Sequence, residues 1–311
     1  MDRMHRRTFL TQAALGAASV AAAGTLGGCA TPTRPTAAAS LKGFKISLAE
    51  WSFHRAISEQ RTMTNLDFPL VARREYQIEV VEYVNQFFKD KARDKTYLRE
   101  LKSRCDGEGV RSGLIMCDDE GDLGDVDAGK RRQAAENHHQ WVDAAKYLGC
   151  HSIRVNAVTG GVGSFEEQQK RVVDGLRQLC EYGLRMGLNV IVENHGELSS
   201  NGKWLVGVMH QVGLPNCGTL PDFGNFYDYD RYDGVREMMP FAKGVSAKSH
   251  DFDAAGNETH TDYRRMIKIV LDAGYHGYLG IEYEGPVIPE REGVLKTLRL
   301  LERVRAELVG V

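Results

Sequence analysis

The feature that most constrains this chain is a recurrence. Eight short β-rich runs, at 44–48, 78–84, 112–116, 151–156, 189–193, 218–222, 244–249 and 278–282, are spaced along it. Several are entered through a glycine turn, as at Leu148-Gly149-Cys150, Met186-Gly187-Leu188 and Gly274-Tyr275-His276-Gly277. Helical spacing of apolar residues marks 90–108, 130–148, 164–186, 261–273 and 291–308. The third of these opens with Ser164-Phe165-Glu166-Glu167, a capping-box pattern. Short strands alternating with helices imply parallel βαβ units, and eight of them fit a single-domain (β/α)₈ barrel over residues 41–311. A doubly wound sheet is the alternative. It usually carries a glycine-rich turn after its first strand, whereas the first run here leads into Ala49-Glu50-Trp51-Ser52-Phe53-His54, with no glycine.

The first forty residues do not fit that pattern. Arg6-Arg7 precedes Thr8-Phe9-Leu10, an Ala/Gly-rich apolar stretch, and then Leu26-Gly27-Gly28-Cys29. A basic start, a short apolar region and small residues at a cleavage point describe an export signal rather than a membrane span. The Arg pair resembles a twin-arginine signal, and Leu-Gly-Gly-Cys resembles a lipobox whose Cys29 is lipidated. Residues 1–28 are therefore expected to be removed and 29–40 to act as a tether. The product would be an exported, periplasmic protein anchored to the membrane only through a lipid on Cys29.

The whole chain carries a formal charge of −2, and without residues 1–28 it carries −4. Nucleic-acid binders usually show a basic excess, so no nucleic-acid partner is expected. The mature part keeps Cys105, Cys117, Cys150, Cys180 and Cys217, an odd number without a CxxC pair. A disulfide framework or zinc ribbon is not indicated.

Active sites of such barrels lie at the C-terminal ends of the strands, and polar groups gather there. The fifth run ends in Glu193-Asn194-His195-Gly196, the sixth in Asp222-Phe223-Gly224-Asn225, the seventh in Lys248-Ser249-His250-Asp251 and the eighth in Glu282-Tyr283-Glu284-Gly285. Glu193 and Glu282 each follow apolar residues, where an unpaired carboxylate is costly and a divalent cation is a usual remedy. Glu193, Asp222, His250 and Glu282 are separated by 29, 28 and 32 residues, about one βα unit each. Three carboxylates with water or one imidazole suit Mn²⁺ or Mg²⁺. His195 points to the mouth with Glu193. Asn156, His195, Asn225 and Glu284 are candidates for holding substrate. His138 and His139 fall on a helix and are expected on its solvated face. Gly160-Gly161-Val162-Gly163 lacks the Lys-Ser/Thr that a phosphate loop needs.

These motifs, in this order, resemble the sugar phosphate isomerase/epimerase superfamily, the xylose isomerase-like TIM barrels, from about Leu41 onward. The resemblance implies one divalent metal held by Glu193, Asp222, a seventh-strand residue and Glu282, with both glutamates exchanging protons with substrate about an enediolate. The chain departs from the pattern at two places. The family's His-x-Lys-Asp register gives Ser246-Ala247-Lys248-Ser249 here, with His250 four residues late but on the same face. Where the epimerases have a His, three residues after the sixth-strand Asp, Asn225 stands.

The expected function is metal-dependent isomerisation or epimerisation of an unphosphorylated sugar, with Glu193 or Glu282 as base and Lys248 or His195 as proton donor. A lyase or hydratase acting on 3-keto-glycosides is the runner-up. A non-catalytic sugar-binding lipoprotein is a further alternative, and an endonuclease IV-like role is disfavoured by the acidic charge.

Overall fold

The computed structural model describes residues 43–310. The export segment, Cys29 and the tether lie outside the described residues. Eight parallel strands run in chain order: β1 (Lys45–Ala49), β2 (Val80–Val84), β3 (Arg111–Met116), β4 (Ser152–Asn156), β5 (Asn189–Glu193), β6 (Cys217–Leu220), β7 (Val245–Ser249) and β8 (Tyr278–Tyr283). β1 pairs with both β2 and β8. β6 and β7 meet through the parallel bridges Thr219–Ala242 and Asp222–Ser246, which close the ring. The chain is a (β/α)₈ barrel. Its helices are α1 (Phe68–Tyr76), α2 (Lys95–Glu108), α3 (Ala128–Leu148), α4 (Phe165–Met186), α5 (Gly202–Val212), α6 (Arg231–Met238), α7 (Tyr263–Asp272) and α8 (Glu290–Val309). No described helix is long and apolar enough to cross a membrane.

Local chemistry explains the boundaries. Ser164 caps α4, and Glu167 reaches back to the Ser164 backbone, completing the capping box. The second helical region starts at Lys95 rather than at residue 90, because Asp94 accepts from the backbones of Thr96 and Tyr97. The sixth strand ends two residues before Asp222, at Leu220, since Pro221 brings no N–H to the ladder. Three helices escape the periodicity reading. α1 and α6 are short, whereas α5 carries Trp204, Leu205, Val208, Met209 and Val212 on one buried face at helical spacing.

The strands sort their side chains by alternation. One large apolar cluster lies between the barrel and the helices. A smaller one, Ala49, Val84, Leu114, Met116, Ile191 and Leu220, fills the barrel's interior. Polar groups share that interior. On β2, Glu82 is buried with its carboxyl accepting from the Ser47 hydroxyl at 2.6 Å. Gly280 on β8 leaves it room, since a Cβ there would collide with that carboxylate. All five described cysteines are buried and unpaired.

Glu50, just after β1, ties the first two strands together. It accepts from Asn65 Nδ2 at 2.9 Å and from the Val84 backbone at 3.0 Å. Burial pushes its carboxyl up to about 8, against the pull of those hydrogen bonds. The unfolded chain ionises first as pH rises from the ordinary 4.5, while the folded chain keeps its proton to about 8. Glu50 therefore takes stability away across that window. Urea unfolding should show wild-type stability falling through the window relative to Glu50→Gln, whose profile lacks this slope. Parallel profiles would show that Glu50 ionises as it does in water.

Candidate active site

The strand register assembles the site. It sets Lys248 beside Glu282, Asn156 beside Glu193 and Asp222 beside Ser246. Glu193, Asp222 and Glu282 are all buried, and one carboxylate oxygen from each lies within 4.8 Å of the others. They form the sole such group of three metal-capable side chains among the described residues.

Two buried cations stand against the three carboxylates. Arg154, on β4, has Nε 2.8 Å from Glu193 Oε2 and Nη1 2.7 Å from Asp118 Oδ1. Lys248 Nζ lies 3.2 Å from Glu282 Oε1, 3.2 Å from Glu284 Oε1 and 3.9 Å from Asp222 Oδ2. Hydrogen bonds orient the acids. Ser246 Oγ donates to Glu282 Oε2 at 2.9 Å, and Asn225 Nδ2 donates to Glu193 Oε1 at 3.1 Å. Asp222 Oδ1 accepts from the backbone N–H groups of Gly224 and Asn225, both at 2.8 Å. Glu193 Oε2 and Asp222 Oδ2 accept no hydrogen bond, although each faces a cation, Arg154 Nε and Lys248 Nζ respectively. Three buried carboxylates this close together suit an oxygen-ligated divalent cation.

The environments push the acids apart. Burial drives Glu193 well up, helped by Glu282 and Asp222 and opposed by Arg154 and Lys248. Burial also raises Asp222, to about 6. Burial would raise Glu282 too, but Lys248, Arg154 and the Ser246 hydroxyl outweigh it, and its net shift is downward. For Lys248 burial opposes the charge, yet Asp222, Glu282, Glu284 and Glu193 prevail and hold the ammonium well above its ordinary range. One carboxyl inclined to keep a proton, one inclined to lose it and an ammonium between them form an acid–base constellation.

A cavity of about 320 Å³ opens above the group, lined by Trp51, Asp118, Arg154, His195, Glu282 and Glu284, among others. His195 is exposed at its rim. Asn156 donates to Asp118 at 2.7 Å. Asn225 sits beside Glu193, and Glu284 bridges inward to Lys248. His250 stands apart from the carboxylates. β7 ends at Ser249, the His250 backbone turns to Glu258, and its Nε2 lies 3.8 Å from Glu284 Oε2. The structure thus brings Glu193, Asp222, Glu282 and Lys248 together and leaves His250 outside that group. His138 is not solvated. It is buried, Nδ1 is 2.7 Å from the Ala134 carbonyl, and it lines the cavity from α3, while His139 stacks on Tyr182.

The residue that sequence reasoning missed is Arg154. A charged residue inside the apolar run Ser152-Ile153-Arg154-Val155-Asn156 was the available signal, since a buried guanidinium requires a carboxylate partner.

The family described as "Xylose isomerase-like TIM barrel" matches residues 72–304. Among curated proteins, the C-glycoside deglycosidase alpha subunit of Microbacterium trichothecenolyticum is 28% identical over 127 residues, 40% of this chain and 32% of that protein. This chain therefore spans about a third of that relative. A putative hydroxypyruvate isomerase of Mus musculus is 26% identical over 204 residues, 59% of this chain and 73% of that protein. The solved 3-keto-D-glucoside 4-epimerase of E. coli superposes with a TM-score of 0.66 at 15% identity, covering 84% of this chain and 99% of that one. A xylose isomerase-like TIM barrel protein of Mycobacterium smegmatis in complex with magnesium superposes with a TM-score of 0.62 at 16% identity, covering 85% and 98%. At these identities the structural likeness shows the fold.

Arg154 gives a direct test of the charge balance. Arg154→Met leaves Glu193 and Asp118 without their cation and should cost roughly 3–5 kcal/mol of stability. Adding Glu193→Gln should recover part of that loss in urea denaturation. A neutral Arg154→Met would contradict the balance.

Proposed function

This chain belongs to the xylose isomerase-like TIM barrel family, and from that premise we propose that it enolises an unphosphorylated sugar or sugar derivative, as an isomerase or epimerase. The observation that carries the proposal is the group of three buried carboxylates at the barrel mouth, with one oxygen from each within 4.8 Å of the others. Glu193, Asp222 and Glu282 fit a hard divalent cation such as Mn²⁺ or Mg²⁺, which when bound acts as a Lewis acid toward a carbonyl oxygen.

The chain's own residues supply the proton chemistry. Glu282, aimed by Ser246, takes the proton from the carbon next to the carbonyl. The C–H electron pair becomes the enediolate double bond, and the carbonyl oxygen takes the negative charge. Glu193 holds a proton on the other side of the group. Delivery of that proton to the same carbon from the opposite face gives an epimer; delivery to the former carbonyl carbon, with the hydroxyl proton passing to the former carbonyl oxygen, gives an isomer. The ammonium of Lys248 favours negative charge developing on substrate oxygens.

The lining supports an uncharged substrate. Asp118, Asp119, Glu120, Asp122, Glu282 and Glu284 face the cavity with Arg154 as the one guanidinium among them. A phosphate or carboxylate would meet repulsion there. Export through residues 1–28, if it occurs as proposed from the sequence, agrees with this, because sugar phosphates are mainly cytoplasmic.

A second proposed reading is β-elimination on a 3-keto-glycoside. The same enediolate expels the group on the next carbon, and Lys248 or His195 donates the proton that group needs. The match to a C-glycoside deglycosidase subunit favours it.

Metal binding tests the assignment apart from turnover. Isothermal titration of chelator-treated protein should show about one Mn²⁺ site per chain. Glu193→Gln, Asp222→Asn and Glu282→Gln should each weaken it by about tenfold or more, and His250→Ala should leave it unchanged. A wild-type protein that binds neither Mn²⁺ nor Mg²⁺ would sink the metal assignment.

A further inference from the structure

The ladder between β5 and β6 stops before it reaches Asp222. It runs from Val190 and Cys217 to Glu193 and Leu220, and Asp222 lies two residues beyond the end of β6. Along an extended segment the backbone groups of successive residues point to opposite neighbours. On the β7 side this segment is satisfied: the Ser246 N–H donates to the Pro221 carbonyl at 2.9 Å, and the Phe223 N–H donates to the Ser246 carbonyl at 3.1 Å. The N–H and C=O of Asp222 therefore point the other way, toward β5, where the chain has already turned off. That turn uses Gly196, at φ +90°. The N–H groups of His195 and Gly196 go to the hydroxyls of Ser199 and Ser200, each at 2.9 Å, and not to β6.

The side chain of Asn194 fills the gap. Its Oδ1 accepts from the Asp222 N–H at 2.7 Å, and its Nδ2 donates to the Asp222 carbonyl at 3.1 Å. A carboxamide offers the same donor and acceptor as a peptide group, so it stands where the next ladder pair would be. Asn194 and Asp222 are both fully buried, and a buried peptide group without a partner is costly. A longer contact, Nδ2 to the Asn225 carbonyl at 3.4 Å, ties in the loop after β6. What this fixes is direction. Asp222 Oδ1 is held by the N–H groups of Gly224 and Asn225, which leaves Oδ2 on the side of Lys248. That aim depends on the hold on the Asp222 backbone. Among the described residues, Asn194 alone bonds the N–H and C=O of Asp222.

We infer that Asn194 is a positioning residue for the acidic group: its carboxamide replaces the strand ladder that Asp222 lacks, and so sets where the Asp222 carboxylate meets Glu193 and Glu282. The consequence for metal affinity rests on the proposed metal-dependent reading of the site, whereas the hold on the Asp222 backbone does not. Asn194 itself touches neither the cavity nor the carboxylate oxygens, and it acts through Asp222.

Asn194→Ala removes both hydrogen bonds to Asp222. The control is Asn201→Ala. Asn201 caps α5 in the same connection, accepting from the Trp204 N–H at 3.1 Å, and it bonds none of the three acids. Two readouts on the full chain separate placement from stability. In calorimetric titration of chelator-treated protein, Asn194→Ala should bind Mn²⁺ roughly tenfold or more weakly than wild type, and Asn201→Ala within about twofold of it. In the Asp222→Asn background, adding Asn194→Ala should cost less than about threefold more, because the two changes act on one group. In metal-free protein, the Asp222 amide should exchange with D₂O roughly tenfold or more faster in Asn194→Ala, measured against the β5 amide of Val190, with no such change in Asn201→Ala. Either readout left unchanged in Asn194→Ala overturns the inference. So does an equal effect in Asn201→Ala, or a full further tenfold loss of Mn²⁺ affinity in the Asp222→Asn background. Should Asn194→Ala not fold, Asn194→Leu, which also lacks the carboxamide, decides on the same readouts. A wild type that binds no Mn²⁺ refutes the metal reading, and Asn194 is then decided by the Asp222 exchange alone.

Discussion

Everything at the mouth of this barrel depends on how three carboxylates are kept in a space closed to water. An isolated buried carboxylate is too costly to hold ionised. Here Glu193, Asp222 and Glu282 share the space with two cations from neighbouring strands, Arg154 and Lys248. Asp118 and Glu284 share those cations, so five carboxylates face two cations and the negative charge is in excess. That excess is carried partly as a tendency of Glu193 to hold a proton, and it is what a divalent cation would answer. Strand register makes the arrangement possible, since it sets Lys248 beside Glu282 and Asn156, two residues from Arg154, beside Glu193. A slip by one residue would turn these groups toward the helices.

The balance also bears on chemistry. The two glutamates differ because their neighbours differ. Glu282 faces Lys248 and accepts from Ser246, whereas Glu193 shares Arg154 with Asp118. Ser246, at the position where the resemblance anticipates a histidine, is spent on aiming Glu282. His250 is left on the rim with Glu284 and His260. The mouth is acidic outside this group as well, with Asp118, Asp119, Glu120, Asp122 and Glu284 on the cavity wall.

The fold was legible in the sequence because each strand is a short apolar run bounded by turns, and a buried parallel barrel requires that pattern. Glu193 and Glu282 were legible for the same reason, as charges at the ends of apolar runs. What stayed hidden depends on contacts between distant segments. Arg154 became part of the site only when β4 lay beside β5. His138 read as a solvated helical residue until α3 was seen to pack it under the cavity. Trp51 was read as part of a glycine-free turn, and its place in the cavity wall follows only once β1 lies beside β8. The short helix α6 spans too few turns for periodicity to detect, whereas α5 carries Trp204, Leu205, Val208 and Val212 at helical spacing and was legible.

The central claim is that this carboxylate group removes a proton next to a sugar carbonyl. Incubation of the Mn²⁺-supplemented protein with unphosphorylated ketoses and 3-keto-glycosides in D₂O, followed by NMR, tests it most directly. Deuterium should appear at one carbon adjacent to the carbonyl, and Glu282→Gln should abolish the exchange while the protein remains folded. Product formation without solvent deuterium in substrate or product, or undiminished exchange in Glu282→Gln, would contradict the account.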